Sequence, residues 1–357
     1  MTDSPRILIT GGAGFIGTNL AKSYLEDGRR VTLFDNLSRN GVEENLAFLQ
    51  RKYKAQVKAI QADVRDRGAV LEAASQADVI YHLAAQVAVT TSLTDPVGDF
   101  SINAGGTLNV LEGARLSNRN PVVLFTSTNK VYGSLNDIDL QRIGARYKPV
   151  DVRLGRTGID ESRPLDFQSP YGCSKGAADQ YVLDYGRCYG FRSVVFRMSC
   201  ICGPHQQGTE DQGWVAFFVR RMMQGKPLTI YGNGLQVRDV LFVSDLVRAF
   251  RLVTETDALR ETHVFNMGGG PERAASVLDV IELIRQATGI APQLEFGPAR
   301  TSDQRWYVSN HSRFCHATGW RPQMGLQDSI ARLVDWFSVS DVSAITAMDR
   351  AERCVTL

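Results

Sequence analysis

The chain has 357 residues, of which 43% are hydrophobic and 22% are charged, and its formal net charge at pH 7 is +2. A chain of this length can bury a substantial hydrophobic core and does not need a disulfide or a metal ion for stability. The composition is that of a globular protein. Because the charges are nearly balanced, the protein has no net electrostatic field that would favour binding to nucleic acid or to an acidic membrane. We therefore expect no nucleic-acid or membrane partner, and local groups must hold any anionic ligand.

Targeting and metal-binding signals are also missing from the sequence. The N-terminal segment lacks a basic stretch followed by an apolar run and a cleavage site, and no apolar run is long enough to span a bilayer. The six cysteines show no Cys-x-x-Cys spacing, and His82 and His205 have no matching cluster. These features predict a cytoplasmic protein with reduced thiols and no metal.

Short β-branched runs alternate with helix-like stretches through the first half of the chain. The runs lie at residues 6–10, 31–34, 57–61, 79–83, 122–126 and 193–197. Several are apolar throughout, as expected for parallel strands that helices cover on both faces. After the first run, residues 15–27 read as a helix that Gly28 ends. The pattern predicts an α/β fold with a Rossmann-type, doubly wound parallel sheet.

The regular alternation weakens from about Gly203, where glycine and proline become frequent. Residues 264–267 nevertheless look like one more strand that returns to the main sheet. We therefore predict a dinucleotide-binding domain over 1–200, with a returning segment at about 240–275. A smaller α/β substrate domain would comprise 201–239 and 276–357.

A glycine motif, ILITGGAGFIG, follows the first predicted strand and opens the first predicted helix. Glycine permits the tight turn, lets a pyrophosphate approach the backbone, and allows the helix to pack closely against the strand. The helix N-terminus then offers free N–H groups to the phosphates. The motif predicts dinucleotide binding by Gly11, Gly14, Phe15, Ile16 and Gly17.

Asp35 ends the second predicted strand, roughly twenty residues after the glycines, where a carboxylate can bind the adenosine ribose hydroxyls. This carboxylate favours NAD over NADP, although Arg39 lies close in sequence. Asp63 follows the third strand and could contact adenine or simply cap the strand end, and the small residues after the fourth strand leave room for the cofactor. The remaining predicted cofactor contacts are Asp35, Asn36, Ser38, Asp63, Val64, Leu83, Ala84 and Ala85, together with Tyr171 and Lys175.

Tyr171 and Lys175 lie four residues apart in SPYGCSKGAADQYV, which predicts a helix that starts near Pro170 and presents both side chains on one face. An ammonium group and an oxidised nicotinamide would both favour the phenolate that a tyrosine base requires. Upstream, Thr128 ends the fifth strand in LFTSTNKVYG. Its hydroxyl is expected at the same edge of the sheet, where it could share a substrate proton with Tyr171.

The glycine motif, Thr128 and the Tyr171–Lys175 pair occur in an order that resembles the extended short-chain dehydrogenase/reductase family of nucleotide-sugar epimerases and dehydratases. The resemblance covers nearly the whole chain. It implies NAD as cofactor and Thr128, Tyr171 and Lys175 as a catalytic triad. The 4,6-dehydratases of that family carry aspartate and glutamate after the threonine, whereas this chain has Asn129 and Lys130. Dehydration is therefore not expected.

Within the family, five motifs are similar to the CDP-sugar 2-epimerases, which interconvert CDP-linked paratose and tyvelose: TSTNKVYG, GIDESRPLDF, SPYGCSKGAADQYV, GTEDQGW and QVRDVLFVSDL. The resemblance implies oxidation of the sugar at carbon 2 by NAD, rotation of the keto-sugar, and return of the hydride to its other face. Cys202 and His205 depart from that group, in which we expect tyrosine and usually arginine. A UDP- or dTDP-hexose 4-epimerase and a non-catalytic NAD-sensing regulator stay open as alternatives.

The same resemblance places Arg238 and Arg300 of the smaller domain against the diphosphate of a nucleotide sugar, a task that suits planar guanidinium groups. Gln236 would help with the ribose or base. The predicted substrate contacts are Gln86, Asn129, Gln236, Arg238 and Arg300. Helices predicted at 103–116 and 174–189 pair across a homodimer in this family, although packing within one subunit would give the same apolar pattern.

Overall fold

The computed structural model describes residues 4–300 and 303–339. The strands of this part of the chain are β1 Ile7–Thr10, β2 Val31–Asp35, β3 Val57–Gln61, β4 Val79–His82, β5 Val122–Thr128, β6 Leu140–Ile143, β7 Arg146–Pro149, β8 Ser193–Met198, β9 Cys200–Cys202, β10 Leu228–Tyr231, β11 Val237–Phe242, β12 His263–Met267, β13 Ala274–Ser276, β14 Leu294–Gly297 and β15 Trp306–Tyr307.

The helices of the same residues connect and cover these strands. They are α1 Phe15–Glu26, α2 Val42–Tyr53, α3 Arg67–Ser75, α4 Val89–Thr94, α5 Pro96–Phe100, α6 Gly106–Arg115, α7 Val152–Thr157, α8 Ser169–Tyr189, α9 Trp214–Met223, α10 Val243–Glu255, α11 Val277–Thr288, α12 Ser312–Thr318 and α13 at 326–339. None of the helices at 4–300 and 303–339 has the length and apolar character that crossing a membrane requires.

The main sheet has seven parallel strands in the order β12-β8-β5-β4-β1-β2-β3. Successive residues of β1 point to opposite faces, and both faces are buried: Ile7 and Ile9 contribute to one core, and Leu8 contributes to the other. Helices α1 and α10 cover the first face, and α3, α6 and α8 cover the second. The predicted doubly wound sheet is confirmed.

One predicted helix, at 103–116, differs in detail. Residues Ser101–Gly105 form a π-helical turn, and the regular α6 begins only at Gly106. The wider turn places Asn103 where its side chain accepts a hydrogen bond from the backbone N–H of Gln86, at 2.9 Å, next to the main cavity. Such turns are frequent at functional sites, and periodicity alone does not reveal them.

The second half of the chain builds a smaller layer beside the carboxyl edge of the main sheet. Strand β11 pairs with β9, β13 and β15, while β10 pairs with β14. Helices α9, α11 and α13 bury their apolar faces against these strands. Between the two layers, α10 packs on α1 and β12 joins the main sheet beside β8. This path supports the division into two interleaved domains that we propose.

Helix α8 is anchored by a buried ion pair between Asp179 and Arg197 of β8. The two side chains are 0% and 4% exposed, and the guanidinium donates to both carboxylate oxygens at 2.9 Å. The partner charge raises the pKa of Arg197 even though burial opposes it. Because a buried charge without its partner is strongly unfavourable, this pair fixes the position of α8 in the fold.

We expect Asp179→Ala to lower the free energy of unfolding by about 3–5 kcal/mol, because it leaves a buried guanidinium without its counter-ion. Urea denaturation followed by circular dichroism measures this change. The matched control is Glu282→Ala, which removes one partner of an exposed pair with Arg285 on α11 and should leave the unfolding midpoint unchanged. Equal losses in both variants would contradict the assignment.

Candidate active site

A cavity of about 1040 Å³ lies between the carboxyl edge of the main sheet and the smaller layer. Ligand sites in doubly wound proteins lie at this edge, and the volume is at the upper end for a single small ligand. All of the sequence-predicted site residues line it: Gly11, Gly14, Phe15, Ile16, Gly17, Asp35, Asn36, Ser38, Asp63, Val64, Leu83, Ala84, Ala85, Gln86, Thr128, Asn129, Tyr171, Lys175, Gln236, Arg238 and Arg300.

The glycine turn shapes one end of the cavity. Gly11 has φ +67°, and a Cβ there would lie 2.8 Å from the backbone nitrogen of Ala84, so β1 and the residues after β4 approach each other closely. A Cβ on Gly17 would clash with the carbonyl oxygen of Gly11. Only glycine fits at either position, and a pyrophosphate can therefore approach the main chain here.

Helix α1 begins immediately after this turn. Its N-cap, Gly14, provides no side-chain hydrogen bond, so the N–H groups of the first turn are available to an anion in the cavity. The carboxylate of Asp35, at the end of β2, accepts hydrogen bonds from the backbone N–H of Ala13 at 3.0 Å and of Leu37 at 2.9 Å. Asp35 thus joins β2 to the glycine turn and still faces the cavity. These residues fit a dinucleotide.

Asp63 follows β3 on the same side of the cavity. Its carboxylate accepts two hydrogen bonds from the guanidinium of Arg65, at 2.8 and 2.9 Å, and one from the amide of Asn36 at 2.8 Å. These partners, Arg65 foremost, hold the pKa of Asp63 far below its usual range. Asp63 therefore lines the cavity as an ionised side chain that its partners hold in place. Its contact with adenine stays a prediction.

Thr128, Tyr171 and Lys175 come together in the middle of the cavity. Thr128 is the last residue of β5, and the other two lie in the first two turns of α8. The side chain of Thr128 lies next to that of Tyr171 and interacts with its hydroxyl. The Lys175 ammonium donates to the carbonyl oxygen of Thr126 at 2.7 Å and lies 4.1 Å from the centroid of the Phe125 ring. The spacing of four residues does place both α8 side chains on one face.

Burial determines the ionisation of this group. It raises the pKa of Tyr171 to about 12, and the neighbouring side chain of Thr128 only partly offsets that rise. Burial also lowers the pKa of Lys175 to about 7. The expectation that an ammonium group and an oxidised nicotinamide together favour the phenolate stays a prediction. The four-residue spacing brings both side chains to the cavity, and their burial shifts both pKa values toward the neutral forms.

The smaller layer supplies positive charge at the opposite side of the cavity. Arg238, on β11, is 8% exposed and donates to the carboxylate of Asp303 at 2.7 Å. The ammonium of Lys130 binds the same carboxylate oxygen at 3.4 Å. Burial would raise the pKa of Asp303, but these two cations keep it below its usual value. One carboxylate therefore holds two cations at the cavity wall.

Arg300 lies farther out on the same side. Its guanidinium stacks on the ring of Tyr231, 4.1 Å from the centroid, and forms an ion pair with Asp211 at 3.0 Å. The Tyr231 hydroxyl donates to Glu210 at 3.1 Å, and the amide of Gln236 donates to the carbonyl oxygen of Tyr231 at 3.0 Å. These contacts form a flat aromatic and guanidinium surface that a nucleotide could stack on.

Two of the three predicted amide contacts, Gln86 and Asn129, also have their hydrogen-bonding groups engaged by the protein. Gln86 donates to the carbonyl oxygen of Ala88 and to Asp99, both at 2.8 Å. Asn129 donates to Gln304 at 3.3 Å and accepts from the hydroxyl of Thr128 at 3.3 Å. Both residues line the cavity, so they shape it and orient their neighbours, while direct contact with a substrate stays a prediction.

Several cavity residues were missed by sequence reasoning. Arg39 donates to Gln212 at 2.6 Å and so joins the loop after β2 to the loop before α9 across the cavity. Trp214 donates to the sulfur of Cys200 at 3.2 Å, and Asp303 pairs with the two cations described above. The GTEDQGW motif pointed to this loop, but no periodicity or spacing assigned its individual side chains.

The sequence between residues 7 and 268 matches the model of the NAD dependent epimerase/dehydratase family. The chain belongs to this family. A CDP-paratose 2-epimerase of Salmonella typhi is 41% identical over 340 residues, which cover 93% of this chain and 99% of that protein. A UDP-glucose 4-epimerase of Mycolicibacterium smegmatis is 32% identical and covers 93% of this chain and 98% of its own length.

Solved structures agree with this assignment. The UDP-glucose 4-epimerase of Thermus thermophilus, in complex with NAD, superposes with a TM-score of 0.77 at 31% identity, covering 93% of this chain and 99% of that chain. The UDP-glucose 4-epimerase of Thermotoga maritima, with UDP-glucose, gives a TM-score of 0.79 at 28% identity over 94% and 99% of the two chains. The chain is therefore an NAD-dependent enzyme of the nucleotide-sugar epimerase and dehydratase group.

We expect Asp35→Ala to weaken NAD binding at least tenfold and to reduce the discrimination against NADP, because it removes a carboxylate from the ribose end of the cavity and a contact to the glycine turn. Isothermal titration calorimetry with both cofactors measures this. Glu43→Gln on the exposed face of α2 is the control and should bind NAD normally. Unchanged cofactor selectivity in Asp35→Ala would remove the ribose role.

Proposed function

We propose that this enzyme epimerises CDP-linked paratose or tyvelose at carbon 2. The observation that carries the proposal is the placement of Thr128, Tyr171 and Lys175 between the open N-terminus of α1 and the basic wall at Arg238. This arrangement supports a dinucleotide on one side of the reacting carbon and a nucleotide sugar on the other. The similarity to the Salmonella typhi enzyme supports carbon 2 and the CDP group.

Bound NAD would accept a hydride from carbon 2 and return it to the other face of the sugar. In our proposal, the phenolic oxygen of Tyr171 takes the proton of the sugar hydroxyl and later returns it. Thr128, whose side chain lies next to Tyr171, shares that proton and helps to orient the sugar hydroxyl toward the phenolic oxygen. Thr128, Tyr171 and Lys175 are themselves buried, which limits the access of bulk water to the intermediate keto-sugar.

The residues after Thr128 support epimerisation rather than dehydration. Elimination of a hydroxyl needs an acid and a base near the leaving group. Asn129 offers an amide that Gln304 already binds, and Lys130 offers a cation that pairs with Asp303. We propose that Arg238, Arg300 and Gln236 hold the diphosphate, ribose or base, as the stacked surface at Tyr231 and the buried guanidinium suggest.

The second candidate is a UDP- or dTDP-hexose 4-epimerase, which would use the same three side chains with the sugar turned differently. It is favoured by the similarity to the Mycolicibacterium smegmatis protein and to the Thermotoga maritima structure with UDP-glucose. A regulator that only senses NAD would not need a tyrosine, a threonine and a lysine together in the lining of one cavity, so we do not favour that role.

We further propose that the enzyme is a homodimer. Large apolar side chains of α4, α5 and α8 are about half or more exposed: Leu93, Val97, Phe100, Tyr181 and Tyr189. A group of such side chains on a folded enzyme is typical of a protein interface. We also propose a cytoplasmic location, which the five unpaired cysteines of the described residues support.

Incubation with CDP-paratose, CDP-tyvelose, UDP-glucose and dTDP-glucose in ordinary and deuterated water tests the proposal, with carbons 2 and 4 followed by NMR. We expect inversion at carbon 2 of the CDP-sugars without uptake of solvent deuterium, since the hydride stays on the enzyme. Inversion at carbon 4 of a UDP- or dTDP-hexose would establish the second candidate instead.

We expect Tyr171→Phe to lower kcat by at least a thousandfold, because it removes the proposed base but little volume. Circular dichroism and NAD binding should be unchanged. Tyr185→Phe is the matched control: it also removes a hydroxyl from α8, one that donates to Glu112 away from the cavity. Turnover near the normal rate in a folded Tyr171→Phe variant would exclude Tyr171 as the base.

A further inference from the structure

A buried carboxylate, Asp99 of α5, lies behind the first turns of α8. It is 1% exposed. Its oxygens accept hydrogen bonds from the Ser174 hydroxyl, from the amide of Gln86 at 2.8 Å and from the amide of Asn103 at 3.2 Å. Neither the sequence motifs nor the proposed mechanism uses this residue. Burying a carboxylate costs free energy. We therefore expect a carboxylate at this position to stabilise a nearby positive charge or to hold a neighbouring element in place.

The first function of Asp99 is mechanical. Ser174 lies between Tyr171 and Lys175 in α8, and it donates to Asp99 while accepting from Asn103 at 3.0 Å. The hydrogen bonds fix the rotation of the turn that carries both side chains. Ser92 of α4 adds a further support, since its hydroxyl accepts from the backbone N–H of Tyr171 at 3.1 Å.

The second function is electrostatic. All three hydrogen-bond donors to Asp99 are neutral, whereas Asp179, the other carboxylate near Lys175, is already balanced by Arg197. The charge of Asp99 is therefore free to act on the active-site pair. Burial depresses the pKa of Lys175, and Asp179 and Asp99 both act in the opposite direction. Asp99 also contributes to the high pKa of Tyr171.

We propose that Asp99 is a positioning residue that keeps Lys175 in its ammonium form and fixes the Tyr171–Lys175 turn of α8 through Ser174. The assignment rests on the proposed function, because it gives Lys175 a charge that the proposed chemistry uses. It explains why a carboxylate is buried at this point with only neutral hydrogen-bond donors.

Other charged and titratable groups also face the site. On α5, Asp95 lies at the N-cap and adds to the negative potential at Asp99. From β4, His82 faces Lys175, but burial lowers the pKa of His82 to about 3, so it is neutral. From the loop after β2, Arg39 acts on Tyr171. Asp179 acts on Lys175 from the next turn of α8.

His82 also links this network to the cofactor end. Its ring nitrogens bond the hydroxyls of Thr10 at 2.7 Å and Thr107 at 2.9 Å, and Thr107 donates to the carbonyl oxygen of Asn103 at 2.5 Å. Asn103 in turn contacts Asp99 and Ser174. Hydrogen bonds therefore run without a break from the end of β1, next to the glycine turn, to α8. The position that Asp99 gives to the first turns of α8 is thus linked by hydrogen bonds to the cofactor site.

Charge and alignment can be separated by mutation in the full-length protein. Asp99→Asn keeps the size of the side chain but removes the charge, whereas Ser174→Ala keeps the charge but removes the hydrogen bond. Asp184→Asn makes the same substitution as the first variant on the exposed face of α8 and is the control. Circular dichroism and thermal unfolding establish that each variant folds.

The direct readout is the pKa of Lys175, measured by competitive labelling with acetic anhydride over a pH series and quantified by mass spectrometry. Removing the negative charge should lower this pKa by about one unit in Asp99→Asn, so that labelling at pH 6 becomes about fivefold faster. Ser174→Ala and Asp184→Asn should label as the wild type does. Because this readout needs no sugar, it holds or fails independently of the substrate assignment.

The second readout is the pH profile of kcat with the sugar that the enzyme epimerises. In Asp99→Asn, both the limb set by Tyr171 and the limb set by Lys175 should move to lower pH, since both pKa values fall when a negative charge is removed. Ser174→Ala should lower kcat without moving either limb. An unshifted Lys175 pKa in folded Asp99→Asn would overturn the proposal, as would limbs that move equally in Asp184→Asn.

Discussion

The site depends on the cost of burying charge beside helix α8. Lys175 is 3% exposed, and its ammonium must be compensated inside the fold. The carbonyl oxygen of Thr126 supplies one partner, and the carboxylates of Asp179 and Asp99 supply negative potential from two sides. These requirements set where α8 lies against β5 and β8, and therefore where Tyr171 meets Thr128.

The fold could largely be predicted from the sequence, because its signals are short in range. Apolar β-branched runs and the glycine motif lie within a few residues of the structures that they determine. The β3 run at 57–61 matches the observed strand, and α1 begins at Phe15 as expected. The site residues that were predicted also belong to local motifs, and each of them lines the cavity.

What the sequence did not reveal depends on pairs that are distant along the chain. Asp303 is 173 residues from Lys130, and Gln212 is 173 residues from Arg39, so no spacing pattern joins them. Asp99 likewise lies 75 residues from Ser174. The pKa of Tyr171 could not be read from the sequence for a related reason: its spacing from Lys175 is local, but the desolvation that raises its pKa comes from the whole fold.

The division of the cavity into two sides also indicates where substrate choice must arise. The glycine turn, Thr128, Tyr171 and Lys175 belong to the main sheet and α8, and hydrogen bonds that run through His82 and Asn103 join the end of β1 to α8. A 2-epimerase and a 4-epimerase can share that arrangement, since only the carbon presented to it differs. In the function that we propose, the orientation of the sugar is then set by Arg238 and Arg300 of the smaller layer and by the Lys130–Asp303 pair. Exchange of those residues, rather than of the central three, is the change by which one activity could become the other.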